Sequence, residues 1–323
     1  MKKAIYIALL SMALFSCQRP DMTVTIRECA PAPVARACAT AFVVDGQAYV
    51  FAGRDSVGKL HNDLWRYTPS TDKWEKVGTS PMTPRVNATA CVCNNKVYIG
   101  LGYCGGSIYD TLSYPNDWWE YTPHTDSWKQ LASYPTHNTD RATSFSSGNE
   151  LYVGYGFKEG YRRDMFRYTI ADNRWDSIDV GVSMYGFPTR SFGGTGCTCG
   201  GHHLMGTGYY RQSLNWWAEL VDGTHWERRA DVPGRARTLA ASAATDQYVY
   251  VCGGIHYGGM NTSGDVLEDI RRYNPDTDTW KWVAVIPQGL CNHVCFAVGG
   301  KVYLGLGENV EWHVSNSLYC IEE

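Results

Sequence analysis

One thirteen-residue pattern recurs along this chain and restricts its fold more than any other feature. It reads NDLWRYTPSTDKW from Asn62 to Trp74 and NDWWEYTPHTDSW from Asn116 to Trp128. It returns as RDMFRYTIADNRW from Arg163 to Trp175 and EDIRRYNPDTDTW from Glu268 to Trp280. In each copy a Tyr stands seven residues before a Trp, and a degenerate copy ends in Trp226 without the Tyr. Upstream of each copy lies an apolar run that ends in Gly, at Gly53, Gly102, Gly156, Gly208, Gly254 and Gly307. Self-similarity at a period of about fifty residues marks an array of one supersecondary unit, because a single unit cannot bury its apolar face alone.

The physics of the unit is readable. A first strand turns at a pair such as Asp45-Gly46, Asn94-Asn95 or Gly299-Gly300 into a second strand. Gly follows, and a loop of variable length leads to a third strand that ends in Tyr. In Thr-Pro-x-Thr-Asp the Pro fixes φ and the Asp and Thr side chains bond the local backbone, so the chain turns. Trp then starts a fourth strand, and the Tyr and Trp rings supply the area that packs one four-stranded sheet on the next. Composition agrees: 12 Trp, 22 Tyr and 33 Gly with only 19 % charged residues favour many short strands over helices.

This pattern resembles the kelch family over nearly all of the chain. The resemblance implies an all-β, six-bladed propeller of four antiparallel strands per blade around a central channel. Only Gly253-Gly254 keeps the paired glycines usual in the family; the other copies carry one. The last repeat stops at Ile321 without a Trp strand, whereas MTVTIRE, Met22 to Glu28, has strand character before the first repeat. The N-terminal strand is therefore expected to complete the C-terminal blade and remove an exposed sheet edge.

Residues 1–17 read MKKAIYIALLSMALFSC, two lysines ahead of a short apolar run, the form of a secretory signal and too short for a transmembrane helix. The ending Leu14-Phe15-Ser16-Cys17 resembles a bacterial lipobox, which implies lipid on Cys17. Residues 18–22 are then a tether, and residues 23–323 a single propeller, exported and anchored to a bacterial membrane. The expected address is the outer membrane, on its periplasmic or surface face, with the lipid anchor as its membrane contact. The chain's net charge is -3, and without residues 1–17, which hold Lys2 and Lys3 and no acid, it falls to -5. No basic run appears, so nucleic acid is excluded as a partner.

Twelve cysteines include Cys91-x-Cys93 and Cys197-x-Cys199, which at first sight look like metal or redox motifs. The repeat register places Cys91 and Cys197 where sister copies have Phe42, Phe145 and Phe296, and Cys93 and Cys199 where they have Val44 and Val298. These are buried apolar positions, and residues i and i+2 of one strand do not make a zinc site. No metal and no cofactor is expected. A disulfide among Cys29, Cys38, Cys291, Cys295 and Cys320, near the ring closure, stays open.

Function is expected in the loops after each Gly, which vary most. They offer Arg54 in the first repeat, Tyr103 and Tyr109 in the second, Tyr161 and Arg162 in the third, Tyr210 and Arg211 in the fourth, Tyr257 in the fifth and Trp312 in the sixth. Rings cover the apolar face of a sugar while polar groups bond its hydroxyls or a carboxylate, so a carbohydrate ligand is expected in the channel mouth. A second ring, Arg36, Arg85, Arg141, Arg190 and Arg235/Arg237, serves either to attract an anion or to hold blades together. Exported kelch propellers of this size resemble N-acetylneuraminate epimerases, sialic acid mutarotases, whose reaction needs a general acid and base and an Arg for the carboxylate. The candidates for acid and base are Glu159, Glu308, His256 and His313. A non-catalytic glycan-binding propeller and a protein-interaction propeller remain alternatives. A copper oxidase of the galactose oxidase type is disfavoured because no convincing Tyr/His/Cys ligand set is present.

Overall fold

The computed structural model describes residues 24–107, 110–136, 139–157, 164–178, 191–223 and 225–322. Its main elements are six four-stranded antiparallel sheets, one per repeat. Blade 1 runs Thr40–Val44, Gln47–Phe51, Asp63–Thr68 and Lys73–Thr79. Blade 2 runs Thr89–Cys93, Lys96–Gly100, Trp118–Thr122 and Ser127–Gln130. Blade 3 comprises Thr143–Ser147, Glu150–Gly154, Met165–Thr169 and Arg174–Ile178. Blade 4 comprises Thr195–Cys199, His202–Gly206, Trp217–Val221 and His225–Arg229. Blade 5 comprises Ala241–Ala244, Val249–Cys252, Asp269–Asn274 and Thr279–Val285. Blade 6 takes Val294–Val298, Lys301–Gly305 and Leu318–Glu322 from the C-terminus and its outer strand, Thr25–Cys29, from the N-terminus. Thr25 pairs with Glu322 and Cys29 with Leu318, so the termini close the ring as expected. The first strand of each blade lies against the first strand of the next, blade 6 against blade 1 included.

The apolar core is not one mass. It is divided into wedges, each formed where one blade meets the next, such as Phe42, Tyr49 and Leu64 of blade 1 against Val97, Ile99 and Tyr121 of blade 2. The Tyr/Trp pairs of the repeat pack ring on ring at a tilt within their blades, Tyr67 on Trp74 at 5.0 Å and Tyr273 on Trp280 at 4.7 Å. The same units latch the chain arriving from the preceding blade. Tyr67 Oη donates to Asp72 Oδ1, which also accepts from the Ala30 amide, while Trp74 Nε1 donates to the Ala30 carbonyl. Blade 5 repeats this with Asp278 and Trp280 on Ala230. Asp or Asn at the turn is thus both turn former and interblade clamp.

The missing family glycines have a structural answer. The residue before each repeat Gly still adopts a left-handed φ: Ala52 at 61°, Leu101 at 61°, Tyr155 at 57°, Thr207 at 59° and Leu306 at 59°, beside Gly253 at 52°. These side chains tolerate that region at a cost of about 1–2 kcal/mol each. The second Gly cannot be replaced so cheaply. At Gly102, φ is 95° and an added Cβ would lie 2.4 Å from the Val86 carbonyl oxygen.

Cys91, Cys93 and Cys199 are buried in first strands, and Cys197 is half-buried. Cys91 lies opposite Tyr98, as Phe42 lies opposite and stacks on Tyr49. Burial pushes the Cys91 thiol up to about 12. Every described cysteine is a free thiol, including those near the closure. No described helix is long and apolar enough to cross a membrane. Cys17, the signal segment and the tether lie outside the described residues.

Candidate functional site

Two concentric rings form the channel mouth. The inner ring is the residue two places before each first strand: Cys38, Asn87, Arg141, Gly193, Leu239 and Asn292. All six are left-handed, with φ between 51° and 63°. Their amides link blade to blade. Asn87 N–H donates to the Cys38 carbonyl, Gly193 to Arg141, Leu239 to Gly193, Asn292 to Leu239 and Cys38 to Asn292, at 2.8–3.2 Å. This collar fixes where the six inner side chains emerge. The outer ring is the residue after each repeat Gly: Arg54, Tyr103, Phe157, Tyr209, Ile255 and Glu308. Each is held by a β-bridge to the residue next to the collar, as in Ala37↔Arg54, Asp140↔Phe157 and Cys291↔Glu308.

The side chains on these rings are not equivalent. Blades 6 and 1 carry charge. Arg54 is ion-paired with Glu308, and Asn292 Nδ2 donates to the second Glu308 oxygen at 2.7 Å. Glu308 is buried, with Arg54 half-buried above it. Blade 3 adds the Asp140–Arg141 ion pair at the junction. Burial raises the Asp140 carboxyl above its ordinary value against the pull of Arg141. Burial likewise pushes the Cys38 thiol up to about 11, with Arg141, Glu308, Arg54 and Asp140 all near enough to act on it. Both ion pairs therefore border one mouth.

Blades 3, 4 and 5 carry rings. Phe157 packs on Phe192 at 5.2 Å, Phe192 on Tyr209 at 5.4 Å, and Tyr209 edge-on to Tyr257 at 5.7 Å. The Arg141 guanidinium lies 5.8 Å from the Phe192 ring centroid. These four rings with Leu239, Met260, Thr262 and Arg141 line an open cavity of about 320 Å³. A second cavity of about 180 Å³ opens inside the collar, lined by Asn87, Arg141, Asn292 and His293 among smaller residues. Among the described residues, Arg141 Nε and both imidazole nitrogens of His293 are buried there without a hydrogen-bond partner. A buried polar group left unmade costs about 1–3 kcal/mol, so these atoms call for a polar occupant of the cavity.

The sequence candidates fall into groups. Arg54, Glu308 and Tyr257 are in the mouth. His256 lies at the same end, its Nδ1 bonded to the Ala236 carbonyl at 2.7 Å. Tyr103 packs at a tilt on Tyr114 and donates to the Gly106 carbonyl. Arg211 caps Tyr210 at a hairpin turn. Trp312 and His313 are on the rim, Trp312 half-exposed and His313 paired with Glu311. Tyr109, Glu159, Tyr161, Arg162 and Arg190 lie outside the described residues.

The arginine ring divides in two. Arg36, Arg85 and Arg237 are buried and bond both carboxylate oxygens of Asp63, Asp117 and Asp269, each within its own blade. They brace each blade from within. Arg235 pairs with Asp265 on the surface. Arg141 stands two residues later relative to its strand than Arg36 or Arg237, and this shift moves it from the blade interior onto the collar. Asp140 and Phe192 were not singled out from the sequence; the signal that could find them is the six-copy register just ahead of the first strands. Among the described residues no cluster of three His, Cys, Asp or Glu could hold a metal.

A ring of six four-stranded blades with Tyr/Trp latches and left-handed turns at Gly defines a kelch-type propeller. The chain belongs to the kelch-repeat family: the KLHDC2/KLHL20/DRC7 kelch-repeats domain matches residues 10–208, and the kelch motif matches residues 236–281. It is 39 % identical over 90 residues to N-acetylneuraminate epimerases of Shigella sonnei and Escherichia coli K12. That stretch is 26 % of this chain and 24 % of each relative, so it spans about a quarter of their length. The solved structure described as "Structure of YjhT" superposes with a TM-score of 0.74 at 13 % identity, covering 91 % of this chain and 99 % of that one, a likeness of fold.

Proposed function

We propose that this chain is an exported, lipid-anchored propeller that binds a sugar acid such as sialic acid in the channel mouth and interconverts its anomers. The observation that carries this reading is the pairing, at one mouth, of two carboxyl groups in different environments with two arginines and an aromatic wall. Two carboxyl groups at one mouth let one accept a proton while the other gives one. Glu308, held by Arg54 and Asn292, is the base toward the anomeric hydroxyl; Asp140, raised by burial, protonates the ring oxygen. The bond between the anomeric carbon and the ring oxygen then breaks, leaving an open-chain keto acid. Rotation about the adjacent carbon–carbon bond and reclosure on the other carbonyl face return both protons. Arg141 and Arg54 have donors in the fork geometry that suits a carboxylate.

The test is anomer exchange followed by proton NMR on freshly released α-sialic acid. Acceleration by the purified protein, lost in Glu308→Gln and Asp140→Asn, is expected; an unchanged rate with wild-type protein removes the enzymatic reading. Binding without exchange would leave a glycan-binding propeller. A second reading has its own observation: Val57, Leu112, Met260, Val310 and Trp312, the exposed large hydrophobic residues among those described, all lie on mouth-side loops. That crown favours a protein partner at the same end, which a protein–protein crosslink confined to those loops would support.

A further inference from the structure

The cavity of about 320 Å³ is more apolar than a hydroxylated sugar ring alone requires. Its walls are Phe157, Phe192, Tyr209, Tyr257 and Leu239, and Arg141 brings a cation to one side of it. The small strand pairs Tyr209–Tyr210 with Gln212–Ser213 and Ile255–His256 with Asp265–Val266 build its far side. The Tyr257 amide donates to Ser213 Oγ at 2.9 Å and the Ser213 amide to the Tyr257 carbonyl at 2.9 Å, so the two hairpins are fastened together. The wall is therefore pre-formed. Met260 is different: it lines the cavity yet is 71 % exposed, a flexible thioether at the opening. Unbranched Met adapts to occupants of different length.

We propose that this aromatic cavity is a subsite for an apolar acyl or aryl substituent carried by the sugar acid, with Arg141 facing the ligand's anionic group and Met260 closing over the substituent. Charge on one side of the cavity and rings on the other impose that orientation. The inference rests on the sugar-acid reading given above. It adds that affinity is decided by the substituent, and that Met260 sets its permitted length.

The test is isothermal titration with nine-carbon 2-keto sugar acids bearing at C5 a hydroxyl, N-acetyl, N-propanoyl or N-butanoyl group. Burying each added methylene is expected to tighten binding by about fourfold until the cavity is full. Met260→Ala should reduce the gain per methylene, with thermal unfolding checked to show an intact fold. Arg141→Ala should weaken every member of the series alike. Equal affinity across the series, or weaker binding as the acyl chain grows, overturns the subsite while leaving the sugar-acid reading standing. No binding by any member removes both.

Discussion

On the side of blades 6 and 1 the channel mouth presents Glu308, Arg54 and Asn292; on the side of blades 4 and 5 it presents Phe192, Tyr209, Tyr257 and Leu239. The backbone is the same on both sides: a left-handed collar residue, a β-bridge and a residue after Gly. A sixfold scaffold has thus been given a twofold division of labour through side chains alone. Arg141 of blade 3 sits at the seam, paired with Asp140 and lying over Phe192. A ligand that satisfies both halves must be charged at one end and apolar at the other. That requirement follows from the difference between the halves; neither half imposes it alone.

The comparison breaks first if mouth arginine and blade arginine prove interchangeable. Arg237 has a fully buried side chain and bonds both oxygens of Asp269. Removing Arg237 leaves the buried Asp269 carboxylate with Arg271 as its remaining cation, so Arg237→Ala should cost about 3 kcal/mol in urea unfolding. Arg141 is about a third exposed, and burial already raises the Asp140 carboxyl toward protonation. Arg141→Ala should therefore cost about 1–2 kcal/mol while weakening sugar-acid binding uniformly. Equal destabilisation by the two substitutions would make Arg141 one more blade clamp.

The asymmetry continues one residue deeper. Below Asn292 lies His293, where the other blades have Ala39, Ala88, Ala142, Gly194 and Ala240. Burial lowers His293 from 6.5 to about 4. Between those values the unfolded chain takes up a proton that the folded imidazole refuses. Stability should therefore fall as pH drops from 6.5 to 4, by up to about 3 kcal/mol in total, and change no further through this group below pH 4. Urea midpoints measured across that window should show the loss in wild-type protein and much less of it in His293→Ala. An identical acid limb in both would remove His293 as its source.

Kinetics separate the halves more finely. Glu308→Gln should lower kcat for anomer exchange by about a hundredfold, the loss of one general base. Phe192→Ala should raise KM by about tenfold with kcat little changed, because a ring that covers an apolar face binds ground and transition states alike. If Phe192→Ala lowered kcat as steeply as Glu308→Gln, the division between chemistry and binding would be lost.

How much of this the sequence carried depends on the length of the signal. The Tyr-x₆-Trp units and their glycines recur in register over the whole chain, so six blades, the N-terminal closing strand and the core role of Cys91 and Cys197 were readable from them. The mouth was not, because its meaning turns on offsets of two residues. Arg36 and Arg141 look alike ahead of their strands, yet one clamps Asp63 inside a blade and the other reaches the collar. Asp140 looks like a loop residue until its bridge partner Phe157 places it under the mouth. Phe192 follows a long stretch without repeat character, so only its place in the register ahead of Thr195 could have found it. The position of Glu308, Arg54 and Tyr257 at the mouth was readable because they follow the repeat glycines directly or within a few residues.

The smallest effect tests the collar itself. Asn87 and Asn292 occupy left-handed positions that Asn accepts readily, whereas Leu239 holds φ at 53° with a branched apolar side chain. That strain costs about 1 kcal/mol and persists because Leu239 contributes to the aromatic cavity. Leu239→Asn makes the aromatic half locally like the charged half. Relief of strain offsets the lost apolar contact of a half-buried side chain, so unfolding free energy should stay within about 1 kcal/mol of wild type. Ligands with an acyl substituent should nevertheless bind several-fold more weakly, since a methyl-rich wall has been exchanged for an amide. A large loss of stability with unaltered binding would show the opposite allocation: a collar that needs Leu239 for packing and a cavity indifferent to it.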